Sequence, residues 1–159
     1  MRRVLTWAAL AFAVDQLSKL IVVHLMDLKT VGVMAVAPPY LTFRMGWNEG
    51  INFGLLSGAG ARWLLIALAV VVSALLLRWA RGFPRPLGQV AAGLVIGGAL
   101  ANALDRLVYG AVADFLNISC CGIRNPYAFN IADVFIFAGA FGLIIWADDP
   151  KKPQDDAAG

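Results

Sequence analysis

Charge is scarce in this chain. Asp, Glu, Lys and Arg make up 14% of its 159 residues, against about 25% in soluble domains, and apolar residues make up 60% against roughly 45–50%. A soluble fold of this length buries only about two-thirds of the surface its chain can expose, so it has no interior for so many apolar side chains. That excludes an ordinary cytosolic enzyme and a disordered chain. Cysteine is limited to the adjacent Cys120 and Cys121, which excludes a disulfide scaffold. Their Cα atoms lie about 3.8 Å apart, below the usual disulfide range, so the two cysteines are expected to be free or strained. His24 is the only histidine, which disfavours a His-dependent triad or a histidine-rich metal site. The net charge of +3 forms no Lys/Arg stripe, so no nucleic-acid partner is expected. What is present is a mean hydropathy of +0.75, which argues for an integral membrane protein of one domain.

Four apolar stretches approach the roughly 20 residues that a spanning helix needs. They run from Val4 to Met26, Trp63 to Leu77, about Leu87 to Val108 and about Ala128 to Ala147. Arg2 and Arg3, then Arg78, Arg81 and Arg85, then Lys151 and Lys152 fall on one side if all four cross. The excess of positive charge places both termini and the middle loop in the cytoplasm, with 27–61 and 109–127 facing outward. Arg2-Arg3 with Ala11-Phe12-Ala13 imitates a cleavable leader. Hydrophobicity continues to Met26, however, and removal would spoil the charge agreement, so the segment is expected to stay.

The first outer loop has structure of its own. Thr30 to Val36 and Tyr40 to Met45 read as short strands around Pro38-Pro39, forming a small sheet at the membrane surface. Phe53 to Ser57 reads as a short interfacial helix. Gly58, Ala59 and Gly60 read as a flexible joint, and Gly50, Gly54, Gly58 and Gly60 make the loop a lid. The expected fold is thus an all-α polytopic membrane protein. Residues 1–150 form one four-helix domain, and 151–159 form a disordered cytoplasmic tail.

Ionisable residues inside a membrane cost about 2.5–3.5 kcal/mol each at a helix centre, and are functional candidates for that reason. Asp15 and Lys19, four residues apart on the first span, pair on one face. Asn102, Asp105 and Arg106 share a face near the outer end of the third span, beside the small residues Gly93, Gly97 and Ala101. Arg106 is expected to keep Asp105 ionised, which makes Asp105 structural. Asp114 and Asp133 have no cation adjacent in sequence. The topology lets them meet at one depth near the outer leaflet, with Asn130 one turn before Asp133. Two close carboxylates titrate as a pair and share a proton, supplying a general base and a general acid as in an aspartic protease. On the residues alone this competes with a proton or ion path through Asp15, Lys19, Asp105, Asp114 and Asp133. His24 marks an interface, and Ser18-Lys19 lies too deep and on diverging faces for a Ser/Lys hydrolase.

Four segments together carry a resemblance. They are Asp15-Gln16-Leu17-Ser18-Lys19, then Asn48-Glu49-Gly50-Ile51-Asn52-Phe53-Gly54, then 98–106 with Val112-Ala113-Asp114-Phe115, and Phe129-Asn130-Ile131-Ala132-Asp133. In order, spacing and placement they resemble the lipoprotein signal peptidase family, also called signal peptidase II, along nearly the whole chain. The resemblance implies an aspartic endopeptidase of the bacterial inner membrane. It would cut the signal peptide from diacylglyceryl-modified prolipoproteins just before the lipidated cysteine, with its active site toward the outer leaflet and no metal or other cofactor. It implies Asp114 and Asp133 as the catalytic pair. Asn48, Asn102, Arg106 and Asn130 would bind substrate, and Asp15, Lys19 and Asp105 would support the architecture. It also implies an extracytoplasmic β-cradle with a short surface helix, and a monomer whose partners are prolipoproteins and membrane lipid. The departures are Ile51 and Asn52 where small residues usually follow the loop glycine, Val134 for a common Ser, and Ala113 for a common Val. Small proton or ion transport remains the alternative function.

Overall fold

The computed structural model describes residues 1–50, 59–120, 122 and 125–147. Helix α1 spans Arg2–Lys19 and runs on as a π turn over Leu20–Leu25. A single turn, α2 (Leu28–Val31), leads into strands β1 (Val33–Ala37) and β2 (Leu41–Asn48). Helix α3 covers Ala59–Trp79 and α4 covers Pro86–Tyr109. Strand β3 (Val112–Ile118) and helix α5 (Ile131–Trp146) complete the fold. Arg2–Leu25, Gly60–Gly82 and Pro86–Tyr109 are long and apolar enough to cross a membrane. The fourth helix has 16 residues, about 24 Å of rise against a hydrocarbon core of about 30 Å.

The ends of α4 follow directly from its sequence. Pro86 occupies the first turn, where a missing N–H costs nothing, and Gly110 takes the left-handed conformation (φ 84°) that closes the helix. Helix α4 is the centre of the bundle, and glycine makes that position possible. A Cβ on Gly93 would stand 2.7 Å from the Val4 carbonyl oxygen of α1, and one on Gly98 would stand 2.6 Å from the Ala132 oxygen of α5. Gly97 lies against Ala8 in the same way, and Gly139 of α5 returns the contact to Ala91. In hydrocarbon no hydrophobic force draws helices together, so close backbone approach supplies the packing. The pairs 93 with 4 and 97 with 8 make α1 parallel to α4. The pairs 98 with 132 and 91 with 139 make α5 antiparallel to it.

At the end of the bundle where α1 stops and α5 starts, a three-stranded antiparallel sheet in the order β1-β2-β3 packs on the helices. Val22, Val23 and Leu28 meet Ala113 and Phe115 of β3, with Phe43 edge-on to Phe115 at 5.7 Å. Alternation along β3 then turns Asp114 to the other face.

Several expectations change. Strand β3 was not foreseen, because six of its seven residues are buried or half-buried and show no alternation. Thr30 belongs to the α2 turn and Tyr40 to the hairpin loop. Ala59 and Gly60 lie in the first turn of α3 instead of a flexible joint, since the helix of the apolar run from Trp63 extends back over them. The expected surface helix at 53–57, Gly54 and Gly58 of the lid, and the tail after 150 lie outside the described residues. Of the two expected states of the cysteines, free or strained, the free one does not hold for Cys120, which is disulfide-bonded. Cys121 lies outside the described residues.

The glycine contacts are testable by thermal unfolding in detergent. Gly98→Ala should lower stability by about 1–3 kcal/mol, because helix propensity cannot offset a methyl driven into the α5 backbone. Gly60→Ala, with nothing within 4 Å of the new methyl, should be neutral or stabilising. Equal midpoints for both variants would contradict the packing account.

Candidate active site

Backbone pairing delivers the site residues one by one. Strand β3 pairs with β2 so that Asp114 lies opposite Gly46, and Val112 opposite Asn48. On its other edge β3 bridges Phe129, whose N–H donates to the Leu116 oxygen at 3.0 Å. The next residue, Asn130, is therefore extended and caps α5. Its Oδ1 accepts from the Asp133 N–H (2.9 Å), while the Asp133 Oδ2 accepts from the Asn130 N–H (3.2 Å). This reciprocal capping box satisfies two orphan donors and fixes the Asp133 side chain at the helix entrance.

Asn130, fully buried, joins the two carboxylates. Its Nδ2 donates to Asp114 Oδ1 at 2.7 Å and to Asn102 Oδ1 at 3.1 Å. Asn102 Nδ2 donates to Asp133 Oδ1 at 2.9 Å, and Asn48 Nδ2 to Asp114 Oδ2 at 3.2 Å. Each carboxylate thus accepts two amide bonds and keeps lone pairs free for a ligand or water. Burial and the neighbouring Asp133 push the Asp114 carboxyl up to about 7, against the opposing effect of its bonds from Asn130 and Asn48. Arg106 faces the pair electrostatically. Its guanidinium donates to the carbonyl oxygens of Asn102 (3.3 Å) and Gly50 (3.5 Å).

Beneath the pair lies a buried ion triad. Lys19 Nζ stands 2.7 Å from Asp15 Oδ2 and 2.7 Å from Asp105 Oδ2, with Asn102 Oδ1 at 3.4 Å. A cation admits only the oxygen of that amide, so Lys19 turns the Asn102 NH2 toward Asp133. Asp15 Oδ1 accepts the Ala132 N–H (2.9 Å), and Asp105 Oδ2 accepts the Ala113 N–H (3.1 Å). Each buried acid therefore holds the backbone amide just before one of the site aspartates. Gln16 Nε2 bridges both acids, at 2.9 Å to Asp105 and 3.2 Å to Asp15. Among the described residues no group of three or more His, Cys, Asp or Glu side chains is placed to hold a metal ion.

Comparison with known proteins decides what this arrangement belongs to. The family profile described as Signal peptidase (SPase) II matches residues 7–147. The chain belongs to the signal peptidase II family. A relative from Methylorubrum extorquens (strain PA1), named lipoprotein signal peptidase, is 40% identical over 92% of this chain and 87% of its own length. One of the same name from Alteromonas mediterranea is 41% identical over 98% of this chain and 87% of its own. Two solved bacterial membrane enzyme structures, obtained by the in meso method at 2.3 and 1.9 Å resolution, superpose with TM-scores of 0.74 and 0.77. Each is 26% identical, and they cover 95% and 93% of this chain and 94% of their own.

Within this signal peptidase II fold, Asn48, Asn102, Arg106, Asp114, Asn130 and Asp133 converge on one spot, over Asp15, Lys19 and Asp105. The ion pair foreseen between Asp15 and Lys19 is present but has a third member. Asp105 takes Lys19 as its ion-pair partner, not its neighbour Arg106, because consecutive helical residues diverge by about 100°. Sequence reasoning passed over Gln16, whose signal was its place between Asp15 and Lys19. His24 pairs instead with Tyr109 (3.0 Å), away from the carboxylates.

Lys19→Met would leave two buried carboxylates uncompensated. Loss of about 3–5 kcal/mol is expected, read as failure to recover folded protein from detergent. Asp105→Asn, which keeps an oxygen for the Ala113 amide, should lower stability and activity partially. A full loss of activity at unchanged thermal stability would contradict its supporting role.

Proposed function

We propose that this chain is an aspartic endopeptidase that removes the signal peptide from diacylglyceryl-modified prolipoproteins, cutting just before the lipidated cysteine. The observation that carries the reading is the pair Asp114 and Asp133 in a signal peptidase II chain, joined by Asn130, whose side-chain amide donates to Asp114 and whose backbone N–H donates to Asp133. The elevated Asp114 carboxyl supports it as the holder of the proton. Asp133 takes a proton from water as the water oxygen attacks the scissile carbonyl, and Asp114 gives its proton to the carbonyl oxygen. When the C–N bond breaks, the leaving amine takes the proton from Asp133 and Asp114 recovers its own. Asn48 and Arg106, half-exposed, bind the extended substrate. Asn102 and Asn130, already committed to the carboxylates, hold the pair in place.

The fourth apolar helix completes four spans in one domain over 1–150, acting as a monomer. The parallel run of α1 with α4 supports a common side for residues 1, 82–86 and 147, which charge assigns to the cytoplasm of a bacterial inner membrane. Asn102 lies seven residues before the end of α4, about 10 Å in by helix rise. The site is thus submerged near the outer leaflet, within reach of a signal helix entering sideways. Ion transport is not favoured. Among the described residues, the buried positions in the inner halves of α1, α4 and α5 are apolar or glycine.

A gel-shift cleavage assay in detergent tests the reading. Wild type should cut a prolipoprotein only when it carries its diacylglyceryl group, and Asp114→Asn and Asp133→Asn should each abolish turnover while folding normally. Retained cleavage by either variant would remove the pair from the mechanism.

The pH profile checks the proton's place. As pH rises through about 7, Asp114 ionises, so kcat/KM should fall toward a tenfold loss per unit. Because its folded value lies above the ordinary 3.8, the Asp114 contribution to stability is complete below about pH 4 and is lost as pH rises through about 7. Asp114→Asn should therefore flatten that part of the stability profile. An activity plateau extending to pH 9 would move the proton elsewhere.

A further inference from the structure

Arg62 holds a position that neither the carboxylates nor the ion triad explains. It stands in the first turns of α3, and its Nη2 donates to the Leu107 carbonyl oxygen of α4 at 2.7 Å. That bond satisfies one of the four carbonyls left open at a helix C-terminus. A guanidinium has five N–H donors, and this is the one hydrogen bond that Arg62 makes among the described residues. Its Nε is buried with no partner among them. Its Nη1 lies beside Gly110: among the described residues, a Cβ there would meet that nitrogen at 3.6 Å and nothing else within 4 Å. Among the described residues, the missing Gly110 side chain thus leaves room for one small group at contact distance from a charged donor. The Trp63 ring lies alongside, with its centroid 5.2 Å from the guanidinium carbon.

Location points to the ligand. The α4 carbonyl that Arg62 holds is that of Leu107, the residue after Arg106, whose guanidinium faces Asp114 and Asp133. Leu107, Trp63 and Leu64 are each more than half exposed on the lipid side of the bundle. Arg62 therefore occupies the boundary between the carboxylate site and the bilayer. In hydrocarbon an unpaired donor is costly, and so is an unpaired acceptor. A lipidated cysteine next to a scissile bond brings acceptors to that boundary. Its acyl chains must stay in the bilayer while the peptide bond reaches the carboxylates, which leaves the ester carbonyls in between.

We propose that Arg62, through the unused donors beside Gly110, receives the ester carbonyl oxygens of the substrate's diacylglyceryl group, and so selects ester-linked lipid. The proposal rests on the peptidase reading above. Arg62 is then a specificity residue, bound to the α4 terminus by one arm of its fork and to substrate by the other.

The test compares two lipidated prolipoprotein peptides of equal chain length, one with ester-linked and one with ether-linked chains, the ether lacking the carbonyl acceptors. Wild type should cleave the ester form with kcat/KM about tenfold higher, the scale of one hydrogen bond to a charged donor. Arg62→Lys keeps a charge for the Leu107 oxygen but loses the fork. It should lose about tenfold on the ester form, mainly through KM, leave the ether form unchanged and bring the ratio near one. Arg62→Gln should collapse the ratio in the same way. Equal wild-type rates on both peptides would overturn the proposal. So would an equal fall on both in the variants, which would make Arg62 only a helix cap or a partner of bilayer phosphate. Wild type cleaving neither peptide would bring down the peptidase reading itself, and this proposal with it.

Discussion

The architecture of the site depends on one buried cation. Lys19 lies between Asp15 and Asp105 at 2.7 Å from each, and the free valences of those acids are spent on the Ala132 and Ala113 amides. Helix α1, helix α4, strand β3 and helix α5 therefore converge through one ammonium group. A buried ion pair adds little net stability, because desolvation offsets most of the attraction. Its value here is positional. The residues after those two amides are Asp114 and Asp133, so the triad sets both carboxylates in a common frame without touching either.

The asparagines do for the side chains what the triad does for the backbone. Asn130, Asn102 and Asn48 supply amide donors that orient carboxylates without adding charge. A lysine or arginine in direct contact would have kept Asp114 ionised. Amide bonds leave burial and the second carboxylate to dominate, and the Asp114 carboxyl stays up at about 7. Arg106 approaches the pair through backbone carbonyls instead, with one arm over the Gly50 oxygen at the entrance to the outer loop.

Depth and close packing are coupled. Glycines bring α1 and α5 against the α4 backbone, and that proximity allows side chains as short as Asp and Asn to reach across three helices. Helix α5 is shorter than its neighbours, and its capped N-terminus lies level with Asn102, before the C-terminal end of α4. The sheet covers that end of the bundle by packing Ala113 and Phe115 on Val22, Val23 and Leu28.

Much of this was legible in the residues. Apolar runs with charged ends marked the helices, because a bilayer imposes length and orientation on any chain that crosses it. Asp15, Lys19, Asp105, Asp114 and Asp133 stood out because ionisable groups are costly in that solvent. Strand β3 did not stand out, since burial on both faces removes the alternation by which a strand is recognised. The partner of Asp105 was also hidden: Arg106 adjoins it in sequence, while Lys19 reaches it only once α1 and α4 lie side by side. The sequence by itself determined the solvent, the helices and the set of polar groups, because local hydropathy and charge specify them. Tertiary structure alone decided which amide holds which carboxylate, because hydrogen bonds are directional and join residues as far apart as Asp15 and Ala132.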